Sequence, residues 1–584
     1  MTSDLDKNMD LEASAAKQLF LGTIIEQNLF PFPKFNADEA ETLTMIIESI
    51  DKFLDGKQEQ FREYDVKGAQ PDEYLNSLKE LGLFGLIIPE EYGGIGLSNS
   101  GYARVVQQAS KYDASTSLTI GAHSSIGMKG VVLFGTDEQK KKYLPKLATG
   151  EMLAAFCLTE PGTGSDAASI KTTATKNSDG SWTLNGEKIW ITNGAFADFF
   201  TVFARTDSEA GMMSAFIVER SFGGVSNGPK EDKMGIRASA TTTIVLDNVK
   251  VPAENILGGE GKGFKVAMEI LNNGRTGLGG GCVGGIKRCI KLAAAQASER
   301  KQFGTAIKNF GLIKEKIARM TMDCYATESV VAMVGHLVDS GAKDYSTEAA
   351  ISKIFATEAM WNAAYESLQV AGGNGFMKEY PYEMITRDSR INMIFEGTNE
   401  ILRLFIALSG FKDAGSYLKE IGKSASKVFN DPIKGFGVMS GYAAKKVAQL
   451  TSLGRDKIES VPPELQELAR ILEEYTLELA KAVETTLKRH GKEIIGKQFA
   501  SKRIADTVID LFVSLCVLSR VSSSVKEKGA EKAKFEIKIA NMFIQSAKRR
   551  MNQNLRRIER NEDGDWKSLA NHIFEKGEYP WDLL

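Results

Sequence analysis

The hydrophobic pattern of this chain changes period twice, and that change constrains the fold more than any other feature. Residues 1 to about 155 carry apolar side chains at helix spacing, as at Leu75, Leu78 and Leu81 before Gly82. Pro89 to Gly96 reads as a loop, and Tyr102 to Gly135 as two helices split near Asp113-Ala114-Ser115. From about 156 the pattern becomes one of short strands: Trp182–Thr192, Phe199–Ala204, Ser214–Val218 and Thr241–Val251, ending near Gly261-Lys262-Gly263. Asn185-Gly186 reads as the turn of a hairpin within Trp182–Thr192.

Helical spacing then returns in four runs, near 264–299, 310–340, 346–371 and 383–410, with Ser346 as N-cap of the third and Gly372-Gly373 as its stop. Four such helices with short links predict a bundle. A Gly- and Lys-bearing stretch follows. Pro462-Pro463-Glu464 then opens a helix with Leu465, Leu468, Leu472, Tyr475 and Leu479 on one face, stopping at Gly491. Two more helices are expected near 494–528 and 530–558. The expected class is α+β multidomain: an N-terminal all-α domain (1–155), a small middle β-barrel or sandwich domain (156–262), a C-terminal four-helix bundle (263–410), a linker (411–460) and an additional C-terminal helical domain (461–584). A length of 584 residues agrees with about three or four domains.

With 25% charged residues and a net charge of −2, nothing points to nucleic acid as a partner. Five scattered cysteines without a C-x-x-C pair read as reduced thiols of an intracellular protein, and four histidines without ligand spacing give no reason to expect a metal. The acidic N-terminus lacks an apolar signal core, which suits a bacterial cytoplasmic protein or a mature form without its presequence, in the mitochondrial matrix. No apolar run reaches the roughly 18 residues of a membrane span. Two motif matches lack their context. Gly279 to Gly284 fits G-x-G-x-x-G but lies inside a helical pattern, so small residues at a tight helix crossing are the better reading. Gly224 to Gly228 fits G-x-S-x-G but is followed by Pro229 and a charged run, and reads as a loop between strands.

Glu396 is the candidate catalytic residue. It stands between Phe395 and Gly397, before a helix-like run from Ile401 to Ala407. Apolar surroundings raise a carboxylate pKa toward that of a general base, and glycine lets a substrate approach the backbone. The competing reading is a helix-start glutamate near the N-cap Asn399.

Several segments in fixed order decide between these. Phe156-Cys157-Leu158-Thr159-Glu160-Pro161-Gly162-Thr163-Gly164-Ser165-Asp166 is followed by Trp190-Ile191-Thr192-Asn193-Gly194, then Leu271-Asn272-Asn273-Gly274-Arg275. Glu299-Arg300-Lys301-Gln302-Phe303-Gly304, Gln369-Val370-Ala371-Gly372-Gly373-Asn374-Gly375-Phe376 and Phe395-Glu396-Gly397-Thr398 complete the set. Together they resemble the acyl-CoA dehydrogenase family from near residue 35 to residue 584. The helical region after 411 resembles the very-long-chain type and its relative, the acyl-CoA dehydrogenase of respiratory complex I assembly.

The resemblance implies FAD as cofactor and α,β-dehydrogenation of an acyl-CoA thioester, the first oxidative step of fatty acid β-oxidation. Glu396 would remove the α-proton while flavin N5 takes the β-hydride. Its own backbone N–H and a ribityl hydroxyl of FAD would stabilise the enolate oxygen. Phe156, Leu158, Thr159, Gly164 and Ser165 would hold the flavin and pyrophosphate, with Trp190, Ile191 and Thr192 packed beside the ring and Thr398 and Glu400 completing the contacts. For Trp190 the alternative is plain core packing. Arg300, Gln302, Phe303 and Phe310, with Gln369, Val370, Gly372 and Gly373, would reach the FAD of a neighbouring subunit, which implies a homodimer. Ser165, Asn272, Arg275, Phe395 and Gly397 would contact substrate. Some members place the base at the position of Gly274, which here cannot serve.

Small residues from Ser115 to Ala122, Gly121 among them, are expected either to deepen the acyl pocket for long chains or simply to pack helices closely. Ile433 to Ile458 is basic and amphipathic, and is expected either to make peripheral membrane contact or to be an ordinary surface helix. Electron-transfer flavoprotein is the implied electron acceptor. An acyl-CoA oxidase and an assembly scaffold of the same fold are the alternatives.

Overall fold

Side-chain caps start most of the N-terminal helices. Asn36 accepts from the Glu39 amide, Ser98 from Gly101 and Asp113 from Thr116, while Thr136 and Gln139 form a reciprocal capping box. The computed structural model describes residues 10–206, 212–428 and 457–583. It divides into two compact units: Met1–Glu12 with Phe32–Ile401, and Ala13–Pro31 with Leu402–Leu584. The helices in chain order are α1 (Ala15–Leu19), α2 (Ala37–Leu54), α3 (Gln58–Lys67), α4 (Asp72–Glu80), α5 (Asn99–Ser110), α6 (Ala114–Gly121), α7 (Lys129–Phe134) and α8 (Asp137–Thr149). After the sheet come α9 (Gly263–Glu299), α10 (Gly311–Asp339), α11 (Ser346–Ala371), α12 (Gly373–Phe376), α13 (Tyr382–Arg390) and α14 (Asn399–Val428). The last four are α15 (Gln466–His490), α16 (Gln498–Lys528), α17 (Lys534–Glu559) and α18 (Asp563–Lys576).

In the first unit, β1 (Ala154–Cys157), β2 (Thr173–Lys176), β3 (Trp182–Thr192), β4 (Phe199–Arg205), β5 (Met213–Glu219), β6 (Val225–Lys230), β7 (Thr241–Val251) and β8 (Ile256–Leu257) form one sheet among the described residues. Its order is β6-β7-β3-β2-β4-β5-β8, with β1 parallel to β4. Phe200 and Val202 of β4, with Phe216 of β5, pack toward Trp182 and Leu184. Phe199, Phe203 and Ile217, on the opposite face, join Met128, Val266 and Ile270 of the helical core. Strands buried on both faces read as continuous apolar runs, which is why β4 and β5 stand out in the sequence.

Several expectations are corrected. Trp182–Thr192 is one strand, not a hairpin. The chain reverses instead at Asn177-Ser178-Asp179-Gly180, where Gly180 has φ 85° and Lys176 pairs with Trp182. Asn185-Gly186 lies at a register shift, where a Cβ on Gly186 would run into the Thr172 side chain and come within 2.8 Å of its Cα. The Gly224–Gly228 stretch is mostly the edge strand β6 rather than a loop. Ser346 is the first helical residue, not the cap; its hydroxyl donates to Asp344 at 2.8 Å. Tyr102 to Gly135 holds α6, a π-helical turn over Ala122–Gly127 and α7 after the end of α5, more pieces than the two helices expected. The run 383–410 is not one helix but breaks between α13 and α14.

The Gly279–Gly284 reading is borne out. A Cβ on Gly280 would strike the Ala103 carbonyl, and one on Gly284 the Gln107 carbonyl, so glycine lets α9 and α5 touch backbone to backbone.

In the second unit, Leu465, Leu468, Leu472, Tyr475 and Leu479 are all buried. A short 3-10 turn over Pro463–Leu465 precedes α15, α16 and α17 start a few residues later than expected, and α18 was not expected at all. The 411–460 stretch begins as helix, since α14 runs to Val428. Most of the basic amphipathic segment Ile433–Ile458 lies outside the described residues. Among the described residues no helix is long and apolar enough to cross a membrane.

Candidate active site

Asn272 and Arg275 lie three residues apart on α9 and therefore share a face. Across from them the chain leaves α13, makes a 3-10 turn over Ile391–Met393, and twists through two left-handed residues, Glu396 (φ 55°) and Gly397 (φ 94°). Thr398 then accepts from the Ile401 amide at 3.3 Å and starts α14. Left-handed backbone is uncommon for a residue with a Cβ and marks a site where surrounding contacts hold it.

Those contacts are present. The buried Arg275 guanidinium donates to Asn272 Oδ1 at 2.6 Å and reaches the Glu396 carbonyl at 3.4 Å. The buried Lys353 of α11 donates to the Gly397 carbonyl and to Asn399 Oδ1, both at 2.9 Å. Glu396 Oε2 is enclosed and, among the described residues, has no hydrogen-bond partner. A Cβ on Gly274 would sit 3.8 Å from that oxygen, so Gly274 and Glu396 converge on one point. Burial raises the Glu396 carboxyl above its ordinary 4.5, with Arg275 and Lys353 drawing it back. Burial lowers Arg275 to about 10 and Lys353 to about 8, with Glu396 opposing each shift.

The glycine-rich segment after β1 is fixed from behind. Lys188 and Glu160 form a fully buried ion pair at 2.7 Å, and Glu160 also accepts the amides of Lys171 at 2.5 Å and Thr172 at 3.0 Å. The Ile189 amide donates to the Thr159 carbonyl at 2.9 Å, tying this turn to the strand that carries Trp190. Leu158 and Ile191 are buried, Phe156 packs on Phe203, and Thr192 ends β3. Gly164 and Ser165 lie on the open side, where a Cβ on Gly164 would meet nothing within 4 Å. Trp190, at a bulge and with φ 58°, is 63% exposed. That exposure argues against the core-packing alternative. Asn193 donates to the Thr119 carbonyl of α6 at 3.0 Å, joining this motif to the small-residue helix. On that helix, a Cβ on Gly121 would lie 3.8 Å from the Tyr102 hydroxyl.

The other expected residues do not join this cluster. Arg300 caps the far end of α9, roughly 37 Å along the helix from Arg275. Gln302 and Phe303 follow in an exposed turn, Phe303 with φ 54°, 94% exposure and an edge-on contact to Phe310. Gln369 and Val370 end α11, with Gln369 roughly 24 Å along it from Lys353, and Gly372 and Gly373 follow with nothing within 4 Å of an added Cβ. Glu400 is exposed on the first turn of α14, and Phe395 is half-buried beside the base.

Sequence reasoning missed Lys353, Asn399 as its acceptor, and Lys188. The signal existed: Lys353 stands between Ile351 and Ile354-Phe355, in a helix otherwise rich in apolar and small residues.

The chain matches the families described as acyl-CoA dehydrogenase N-terminal domain over residues 40–151, middle domain over 155–249 and C-terminal domain over 261–410. Residues 463–579 match the family described as ACAD9/ACADV, C-terminal domain. The very long-chain specific acyl-CoA dehydrogenase, mitochondrial, of Bos taurus is 44% identical over 580 residues, covering 97% of this chain and 88% of that protein. An acyl-CoA dehydrogenase of Bacillus anthracis, solved in complex with FAD, aligns with TM-score 0.80 at 34% identity over 98% of this chain and 97% of its own. Butyryl-CoA dehydrogenase of Megasphaera elsdenii aligns with TM-score 0.62 at 38% identity, covering 99% of its own length but 65% of this chain.

Proposed function

This chain belongs to the acyl-CoA dehydrogenase family and is an acyl-CoA dehydrogenase with an additional C-terminal helical domain; on that premise we propose that it oxidises long and very long acyl-CoA thioesters to trans-2-enoyl-CoA, with Glu396 as the base and FAD as cofactor. The observation that carries the reading is Glu396 Oε2, enclosed and unpartnered beside two buried cations. A carboxylate so desolvated is a stronger base than one in water, while Arg275 and Lys353 partly offset the rise. The α-proton passes to Glu396. The Glu396 backbone N–H points its dipole at the thioester oxygen as charge develops there. Arg275 and Asn272 hold the segment and the adjoining part of the substrate.

The residues present fit FAD: an open glycine turn from Thr159 to Ser165, and an exposed tryptophan tied to it through Ile189 and Thr159. When bound, FAD supplies the acceptor for the β-hydride. Arg300, Gln302, Phe303, Phe310 and the Gln369–Gly373 turn serve the FAD of a second copy. The distance along α9 and α11 supports this, because no single compact site spans it. Gly121, where an added Cβ would just touch the Tyr102 hydroxyl, lines the acyl pocket. Electron-transfer flavoprotein is the proposed electron acceptor, and the mitochondrial matrix or its bacterial equivalent the proposed compartment.

Anaerobic titration with palmitoyl-CoA, followed by flavin absorbance, tests this reading. Wild-type flavin bleaches and that of Glu396→Gln does not. Flavin that stays oxidised in both, with ligand bound, would favour the scaffold alternative. Fast reoxidation of reduced enzyme by oxygen rather than by electron-transfer flavoprotein would favour an oxidase.

A further inference from the structure

Lys353 is buried in a helix whose other buried residues are mostly alanine, isoleucine, serine and threonine. A buried ammonium is costly unless its donors are satisfied, and methionine would fill similar volume without that cost. Two of its donors go to one short stretch of chain: the Gly397 carbonyl and Asn399 Oδ1, each at 2.9 Å. Asn399 is itself buried and donates to Thr357 Oγ1 and Glu358 Oε1, both at 3.1 Å, on the same helix as the lysine. The contacts therefore close around the residues that follow Glu396, which itself holds a left-handed backbone that a residue with a Cβ rarely adopts. The charged and titratable groups facing the ammonium are Glu396 across from it, Arg275 and Cys282 on α9, and Glu358 on α11.

We propose that Lys353 is a positioning residue for the base: its ammonium ties the Gly397–Asn399 turn to α11 and holds Glu396 in its left-handed conformation, with Oε2 left unpartnered beside Gly274. The lysine does not touch the reacting atoms. The proposal rests on Glu396 being the base, and the test separates the two.

The test uses FAD-loaded wild type, Lys353→Met, Asn399→Ala and Glu396→Gln. Two quantities are read: incorporation of solvent deuterium at the α-carbon of bound palmitoyl-CoA under anaerobic conditions, and the pH profile of kcat/KM. Melting curves and flavin content establish folding. Folded Lys353→Met is expected to slow α-exchange on the order of 10²-fold, the size of effect a misplaced group produces. Loss of the positive charge raises the pKa of Glu396, so the acidic limb moves to higher pH. Asn399→Ala keeps the charge and loosens the clamp, so exchange slows while the limb stays. Wild-type exchange and an unmoved limb in folded Lys353→Met overturn the proposal. Should that variant not fold, wild-type exchange in Asn399→Ala overturns it instead. Undiminished exchange in Glu396→Gln would overturn the base assignment itself.

Discussion

Four of the six non-glycine residues with left-handed backbone among the described residues, Trp190, Asn193, Phe303 and Glu396, fall in the segments that carry the family resemblance. At Glu396 backbone strain coincides with a desolvated carboxylate, so the site stores unfavourable energy twice. The pH dependence follows from the second part. The folded state binds the Glu396 proton more tightly than the unfolded chain, so stability is lost as pH rises from about 4.5 toward the raised folded value. Glu396→Gln removes that titration, and Glu396→Gly also removes the strain, worth about 1 kcal/mol. Both variants are expected to gain melting temperature relative to wild type as pH rises from 4 to 7, the glycine variant more, while both lose turnover. Melting curves across that range check it, and a gap independent of pH would mean Glu396 stays ionised in the fold at little cost.

Elements were legible where their signals were local. The buried face of α15 and the doubly buried runs of β4 and β5 came through because spacing alone carries them, whereas Ser346, read as a cap, is the first helical residue because Asp344 takes its hydroxyl. The hairpin did not, since Asn185-Gly186 and Asp179-Gly180 offer the same turn chemistry, and only the partner strand decides which one turns. The break between α13 and α14 was also hidden, because what holds it open is Lys353, more than 40 residues earlier. The pair Glu160–Lys188 is the same kind of feature: a long-range contact that sets a local shape. Leaving one charge of a buried pair alone costs about 3–5 kcal/mol, whereas removing both costs less. Lys188→Met is therefore expected to lower unfolding free energy by about that much and to shed flavin during gel filtration. Adding Glu160→Gln to it recovers part of both. Denaturant unfolding and the flavin-to-protein absorbance ratio measure the two effects. Full flavin retention in Lys188→Met would mean the Thr159–Ser165 turn needs no support from behind.

Across the whole molecule, local periodicity could not say which segments share a core. Residues 13–31 sit at the start of the chain, yet they fold with 402–584. Glu26 accepts the amides of Glu459 at 3.1 Å and Ser460 at 2.5 Å, and the Leu29 carbonyl accepts the Ser519 hydroxyl. Phe20 is the apolar centre of this arrangement: it is buried, stands edge-on to Phe411 at 6.4 Å, and fills the space where a side chain on Gly410 would lie. Nothing local marks that glycine as a receptor for a ring almost 400 residues away, so this part of the core was invisible to spacing arguments. Truncating such a ring to alanine costs about 3–5 kcal/mol through lost transfer energy and the cavity left behind. Because the contacts of residues 13–31 run to α15 and α16, the loss is expected to surface there as well as at Phe411. Hydrogen exchange followed by mass spectrometry on Phe20→Ala should show faster exchange in α16 and around Phe411, with the change graded by proximity to the vacated space. Wild-type protection throughout α16 would mean that the N-terminal segment lies on a core already complete without it.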